Sequence, residues 1–102
     1  MEWNIPFEMN SAIKKSLTGD QIRAARALIR WSAEDLARSS SVGLTTIRRA
    51  ELAIEETSMT AANNLAIRNA LECAGVEFID ENGGGLGVRF RKPRAKEPKK
   101  QR

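Results

Sequence analysis

The stretch "SAEDLARSSSVGLTTIRRAE", residues 32–51, carries the local signals that decide the fold. Ser32 is a residue type that caps helix N-termini well, so a helix is expected over residues 33–39. The serine-rich segment that follows favours a turn, and Gly43 can precede the next helix. The apolar spacing then predicts a second helix over residues 44–52. The stretch therefore predicts two short helices joined by a tight turn.

Two helices with this spacing match a helix-turn-helix, in which the second helix lies in the DNA major groove. With Ile47 turned towards the first helix, the polar residues around it lie on flanking or outward faces, at about 100° per residue. These residues are Thr45, Thr46, Arg48 and Arg49. Because two short helices around a glycine also occur in unrelated bundles, the spacing alone leaves both interpretations open.

Further helices are predicted on either side of this motif. One is expected over residues 18–30, and another over residues 61–74, capped by Thr60 and ended by Gly75. Helical spacing predicts an inner stripe on the later helix. The stripe consists of Ile67, Ala70, Leu71 and Ala74.

A β-hairpin is predicted over residues 76–91, where apolar and polar residues alternate. The segment Asn82-Gly83-Gly84-Gly85 is expected to supply positive-φ residues for its turn. An isolated hairpin is marginally stable in water, so it should pack on the helices or pair with a second subunit. The predicted organisation is an N-terminal arm (1–17), a helix-turn-helix domain (18–75), the hairpin (76–91) and a basic disordered tail (92–102).

Positive charge is concentrated at the C-terminal end. The net charge of the chain is +4, but residues 88–102 hold eight Lys or Arg against the single acid Glu97. Local charge of this kind favours contact with a polyanion such as DNA. A disordered tail that only keeps the protein soluble has the same composition. Both interpretations of the tail stay open.

Composition argues against several classes of function. The 102 residues suffice for one small domain, and no apolar run approaches the roughly 20 residues of a membrane span. The chain has no His, no Tyr and one cysteine, Cys73, which removes most metal sites and the usual nucleophile–base arrangements. We therefore expect a cytoplasmic protein that is not an enzyme and needs neither cofactor nor metal.

The segment "LTGDQIRAARALIRWSAEDLARSSSVGLTTIRRAE", residues 17–51, resembles the lambda-repressor-like, Cro/repressor-type helix-turn-helix domain of the XRE family. The later segment "GVEFIDENGGGLGVRFRK", residues 75–92, is similar to the Gly-rich hairpin that small bacterial regulators place behind this domain. The resemblance implies a mainly α fold, a bundle of four to five helices with a C-terminal β-hairpin.

The same resemblance assigns roles to particular residues. It implies base-edge contacts from the second helix of the motif, at Leu44, Thr45, Thr46 and Arg49. It implies phosphate contacts at Arg48, at the backbone N–H groups around Gly43, and at Ser32, since the family's usual glutamine is replaced by Ala33. It also implies a structural ion pair between Arg26 and Glu51.

These expectations point to a sequence-specific regulator of transcription, a repressor that binds double-stranded DNA as a homodimer. The resemblance to bacterial regulators implies that it is nucleoid-associated in a prokaryotic cell. An antitoxin or partner-binding module on the same fold, with the hairpin holding another protein, is the alternative. An RNA-binding module would need an aromatic stacking surface, whereas this chain has two Trp and three Phe, mostly assigned to its core.

Overall fold

Four helices precede a two-stranded hairpin in the computed structural model of the chain, which describes residues 16–54, 57–81 and 83–92. The helices are α1 (Gly19–Ile29), α2 (Ala33–Ser40), α3 (Leu44–Glu51) and α4 (Ala61–Cys73). The strands are β1 (Val76–Ile79) and β2 (Gly87–Phe90), which pair antiparallel. The result is a compact, mainly α domain, as expected, with each helix within two residues of its predicted bounds.

The first residues of α1 and α2 are set by side chains that cap the helix N-termini. The Ser32 hydroxyl accepts the Asp35 N–H at 3.0 Å, while the Asp35 carboxylate accepts the Ser32 N–H at 2.9 Å. The same reciprocal pair forms at the start of α1 between Thr18 and Gln21, a capping box that the sequence analysis did not name. Such pairs satisfy two backbone donors that a helix N-terminus otherwise leaves open.

The core lies where the four helices and β1 meet. Its fully buried large side chains are Leu17, Ile22, Leu36, Ile47, Ile67, Leu71 and Val76. Leu17, which we assigned to the N-terminal arm, thus belongs to the folded domain. Its N–H donates to the Asn64 side-chain oxygen at 2.9 Å, and its carbonyl accepts the Thr57 N–H at 3.1 Å. Residues 1–15 of the predicted arm lie outside the described residues.

The predicted inner stripe of α4 is confirmed at Ile67 and Leu71, which are fully buried, and in part at Ala70, which is half-buried and packs against the core. Ala74 is half-buried and is not part of the core cluster. The buried side of α4 also includes Asn64 and Arg68, which are 7% and 3% exposed and were not predicted there. Asn64 is satisfied by the Leu17 backbone, as described above. The Arg68 guanidinium lies 5.1 Å from the centre of the Phe78 ring and 3.6 Å from the carboxylate of Glu72, one turn later on α4, and both contacts help to offset its burial.

The hairpin packs on α1 and α4, which resolves the marginal stability of an isolated hairpin. Gln21 of α1 donates from its side-chain nitrogen to the Gly87 carbonyl at 3.2 Å, and Arg91, just after β2, donates from Nη2 to the Glu72 carbonyl of α4 at 2.8 Å. The turn differs from the prediction. Of its three glycines only Gly83 has a positive φ, of 107°, because the strands are joined by a longer connection rather than a tight turn. Asn82 lies outside the described residues.

Gly19 allows the start of α1 to approach the end of α3. A Cβ atom at this position would lie 2.7 Å from the carbonyl oxygens of Ala50 and Glu51, and closer still to that of Ala53. Only a residue without a side chain fits such a contact with backbone. The orientation of α3 is therefore set partly by its carbonyl end resting on α1.

Candidate nucleic-acid interface

Helix α3 is amphipathic, and its buried side fixes which residues point outward. Ile47, Ala50 and Glu51 are buried, and α3 packs on both α1 and α2. At about 100° per residue, Thr45 and Arg49 lie about 160° around the helix from Ile47. Both are exposed, so they form the centre of the outward face of α3.

The remaining residues predicted on this helix flank that centre. Arg48 is exposed on the side towards α2, whereas Leu44 and Thr46 are half-buried. Thr46 and Arg49 also line a cavity of about 90 Å³, together with Ser58 and Met59 from the segment that follows α3. Thr45, Arg48 and Arg49, the three exposed residues of this surface, together form what we call the reading face.

The two arginines of the reading face have different surroundings. Arg48 donates from Nη2 to Oε2 of Glu34, on the first turn of α2, at 2.9 Å. Arg49 makes no ion pair with any residue within the described ranges. Its guanidinium keeps its donors for an external acceptor, such as the N7 and O6 atoms of guanine.

The turn between α2 and α3 presents backbone donors. Gly43 is exposed and stands at the N-cap of α3 without a side-chain cap hydrogen bond. Since the first N–H groups of a helix have no partner within it, they can bind an anion such as phosphate. Val42, beside it, is buried and anchors the turn to the core.

Ser32 lies at the start of α2 and is exposed, as a phosphate contact would require. Its hydroxyl oxygen accepts the Asp35 N–H, and the hydroxyl also interacts with the carboxylates of Glu34 and Asp35, so a phosphate would have to compete with these acids for its proton. The hydrogen bonds from Ser32 hold the pKa of the Asp35 carboxyl below its usual value. Two negative charges, on Glu34 and Asp35, the second and third residues of α2, therefore lie beside the Ser32 hydroxyl.

An ion pair joins α1 to the end of α3, as the family resemblance implies. The Arg26 guanidinium donates from Nε to Oε2 of Glu51 at 2.6 Å and from Nη2 to Oε1 at 2.9 Å. A third donor reaches the Trp31 carbonyl at 2.9 Å. The side chains of Arg26 and Glu51 are 21% and 10% exposed. The hydrogen bond to Glu51 raises the pKa of Arg26, so the arginine stays charged.

Arg23 adds a contact that the sequence analysis missed. It donates to the backbone carbonyl of Glu51 at the end of α3 and pairs with Asp20 one turn earlier. Together with Gly19, the two arginines of α1 place three contacts on the last turn of α3. The spacing of Gly19, Arg23 and Arg26 along one helical face was the available signal.

The described residues contain no group of three or more His, Cys, Asp or Glu placed to hold a metal ion. None of the helices within the described ranges is both long and apolar enough to cross a membrane. A groove of about 520 Å³ lies between Trp31, the end of α2 and α4, and it shares no residue with the reading face.

No protein-family profile matches the chain, and a search of curated proteins finds no similar sequence.

Proposed function

We propose that this protein is a sequence-specific DNA-binding regulator of the lambda-repressor-like, XRE-family class that reads the major groove with α3. The observation that carries the proposal is the arrangement of the reading face. Thr45 and Arg49 stand opposite the buried Ile47, on a short helix braced by α1 and α2. An α-helix fits the major groove of B-DNA, and its outward side chains then meet base edges.

The chemistry of the reading face suits base recognition. Arg49 has a guanidinium whose parallel donors match guanine O6 and N7, and no described residue competes for it through an ion pair. Threonine adds a methyl group that can contact thymine and a hydroxyl that can bind a base or a phosphate. Leu44 and Thr46, at the margins, are assigned supporting base contacts.

Phosphate contacts are assigned to one residue of the reading face, Arg48, and to two groups beside that face, the Ser32 hydroxyl and the backbone N–H groups that follow Gly43. Such contacts fix register on the duplex but carry little sequence information. The proposed protein is a repressor that covers promoter DNA and needs no cofactor. It binds as a homodimer, because one helix of this length reads few base pairs.

The proposal is tested by selecting bound fragments from random duplex DNA and then titrating Arg49→Ala and Arg48→Ala on the selected site. Loss of Arg49 should weaken specific binding by about 1–3 kcal/mol and relax preference at one base pair. Loss of Arg48 should weaken specific and random DNA similarly and lower the salt slope by up to about one. Failure to enrich any sequence, with random DNA bound equally by all three proteins, would refute the proposal.

A second candidate function, the partner-binding or antitoxin module, is favoured by one observation. Ile54 and Leu86 are 84% and 42% exposed, and both line one groove beside β2. Exposed apolar residues that cluster are typical of protein contacts. Stable co-purification of a second protein that Ile54→Ser releases, without loss of folding, would support this candidate.

A further inference from the structure

The contact between Glu34 and Arg48 links the two helices of the helix-turn-helix across 14 positions of sequence. Both side chains are more than half exposed, at 52% and 59%, so the pair stands on the surface rather than in the core. An exposed pair contributes little to folding stability. Because Arg48 belongs to the reading face, the position of the pair is more informative than its energy.

Glu34 carries a full negative charge on this surface. It lies in the first turn of α2, where the helix dipole favours an anion. A hydrogen bond from its own backbone N–H and the nearby Arg48 charge hold the pKa of its carboxyl below the usual value. At neutral pH the Arg48 guanidinium is thus already occupied by an acceptor of the same kind as a phosphate oxygen.

A DNA phosphate that approaches Arg48 must compete with this carboxylate. It must either displace Glu34 or share the guanidinium with it, and a carboxylate and a phosphate a few ångströms apart repel each other. The affinity gained from Arg48 is reduced in either case. The other acid of this turn, Asp35, pairs with Arg38 and with the Ser32 N–H and does not contact Arg48.

We propose that Glu34 is an intramolecular competitor for Arg48 that reduces the affinity of this protein for the DNA backbone. The inference rests on the proposed function. Non-specific binding to DNA comes almost entirely from phosphate contacts. A competitor for one such contact limits the time that the protein spends on random DNA, while Arg49 still reads its base.

The experiment compares the full chain with Glu34→Gln, which keeps the size of the side chain and removes its charge. The variant should bind both selected and random duplexes more tightly. Its salt slope should be steeper, by up to the roughly 0.9 of one fully neutralised phosphate and less by the part that Arg48 already contributes in the parent. Its advantage over the parent should therefore shrink by up to about 3.5-fold as salt rises from 50 to 200 mM.

Two further variants separate this mechanism from a general charge effect. Glu77→Gln removes the same charge from another exposed pair, Glu77–Arg89 on the hairpin, and should leave the salt slope unchanged. In an Arg48→Ala background, Glu34→Gln should no longer steepen the salt slope. The melting temperature should change little in all of these variants, because the pairs are exposed.

An equal gain from Glu77→Gln, or a gain from Glu34→Gln that survives in the Arg48→Ala background, would overturn the inference. In both outcomes DNA is still bound, so the proposed function stands. Absence of duplex binding by the parent chain itself would instead overturn the proposed function and this inference with it.

Discussion

Replacing Glu51 with glutamine should be among the most damaging single changes to this fold, although Glu51 touches no predicted DNA contact. The substitution removes the negative charge of a carboxylate that accepts two hydrogen bonds from Arg26. The Arg26 side chain, which is only 21% exposed, then has no counter-charge. Breaking a fully buried pair costs about 3–5 kcal/mol, and partial exposure of Arg26 lowers the expected loss to about 2–3 kcal/mol.

Thermal unfolding followed by circular dichroism at 222 nm measures this loss. A destabilisation of 2–3 kcal/mol in a domain of this size should lower the melting temperature by about 10–20 °C. The pKa of Arg26 is raised, so its stabilising charge is present below the ordinary arginine value and is lost only above it. Titration of Arg26 therefore adds no pH dependence to the deficit between pH 6 and 9.

A matched control and a repair test the physical reason. Glu77→Gln removes a carboxylate from an exposed arginine pair and should leave the melting temperature nearly unchanged. The double variant Arg26→Met, Glu51→Leu should recover much of the loss, because it removes both charges together. A loss from Glu51→Gln no larger than that from Glu77→Gln would refute the reasoning.

Three other outcomes are expected. Gly19→Ala should destabilise the fold by about 2 kcal/mol or more, since its Cβ would overlap the carbonyl oxygens at the end of α3. The control Gly84→Ala meets no atom within 4 Å and should be neutral, so equal melting temperatures of the two variants would contradict this prediction. Selected sites should contain half-sites about 10–10.5 bp apart, and light scattering should find two chains per site; one chain at saturation would exclude the proposed dimer. Truncation after Arg91 should weaken selected and random DNA equally and flatten the salt dependence, whereas identical titration curves at low salt would show that the tail only improves solubility.

The helices were predictable because their boundaries are encoded locally. Ser32 before α2 and Thr60 before α4 use side chains that cap the residues immediately following them. The buried face of α3 was predictable for a similar reason, since Ile47 and Ala50 are the apolar residues at helical spacing. The outward positions of Thr45 and Arg49 follow from that face.

Features that depend on distant residues were not predictable. Arginine is a residue type usually found at the surface, but Arg68 is buried in the core, where it contacts the Phe78 ring of β1. Gly19 stands in an ordinary helix-start sequence, and only the approach of α3 shows why a side chain is excluded there. The pair of Arg48 with Glu34 was also missed, because it needs the crossing of α2 and α3 and not only their spacing.

Helix α3 is held by different kinds of contact at its two ends. Gly19, Arg23 and Arg26 bring close backbone contact, a hydrogen bond and an ion pair to the last turn or the residues just after it, whereas the first turn has no side-chain cap and is held by apolar packing through the buried Val42. Hydrogen bonds and ion pairs are directional, whereas apolar packing tolerates small shifts. If α3 reads DNA, Arg49, within one turn of the directional contacts, keeps its position while the first turn adjusts slightly to the groove. Binding sites should then vary more at the base pairs beneath the first turn than at the pair beneath Arg49.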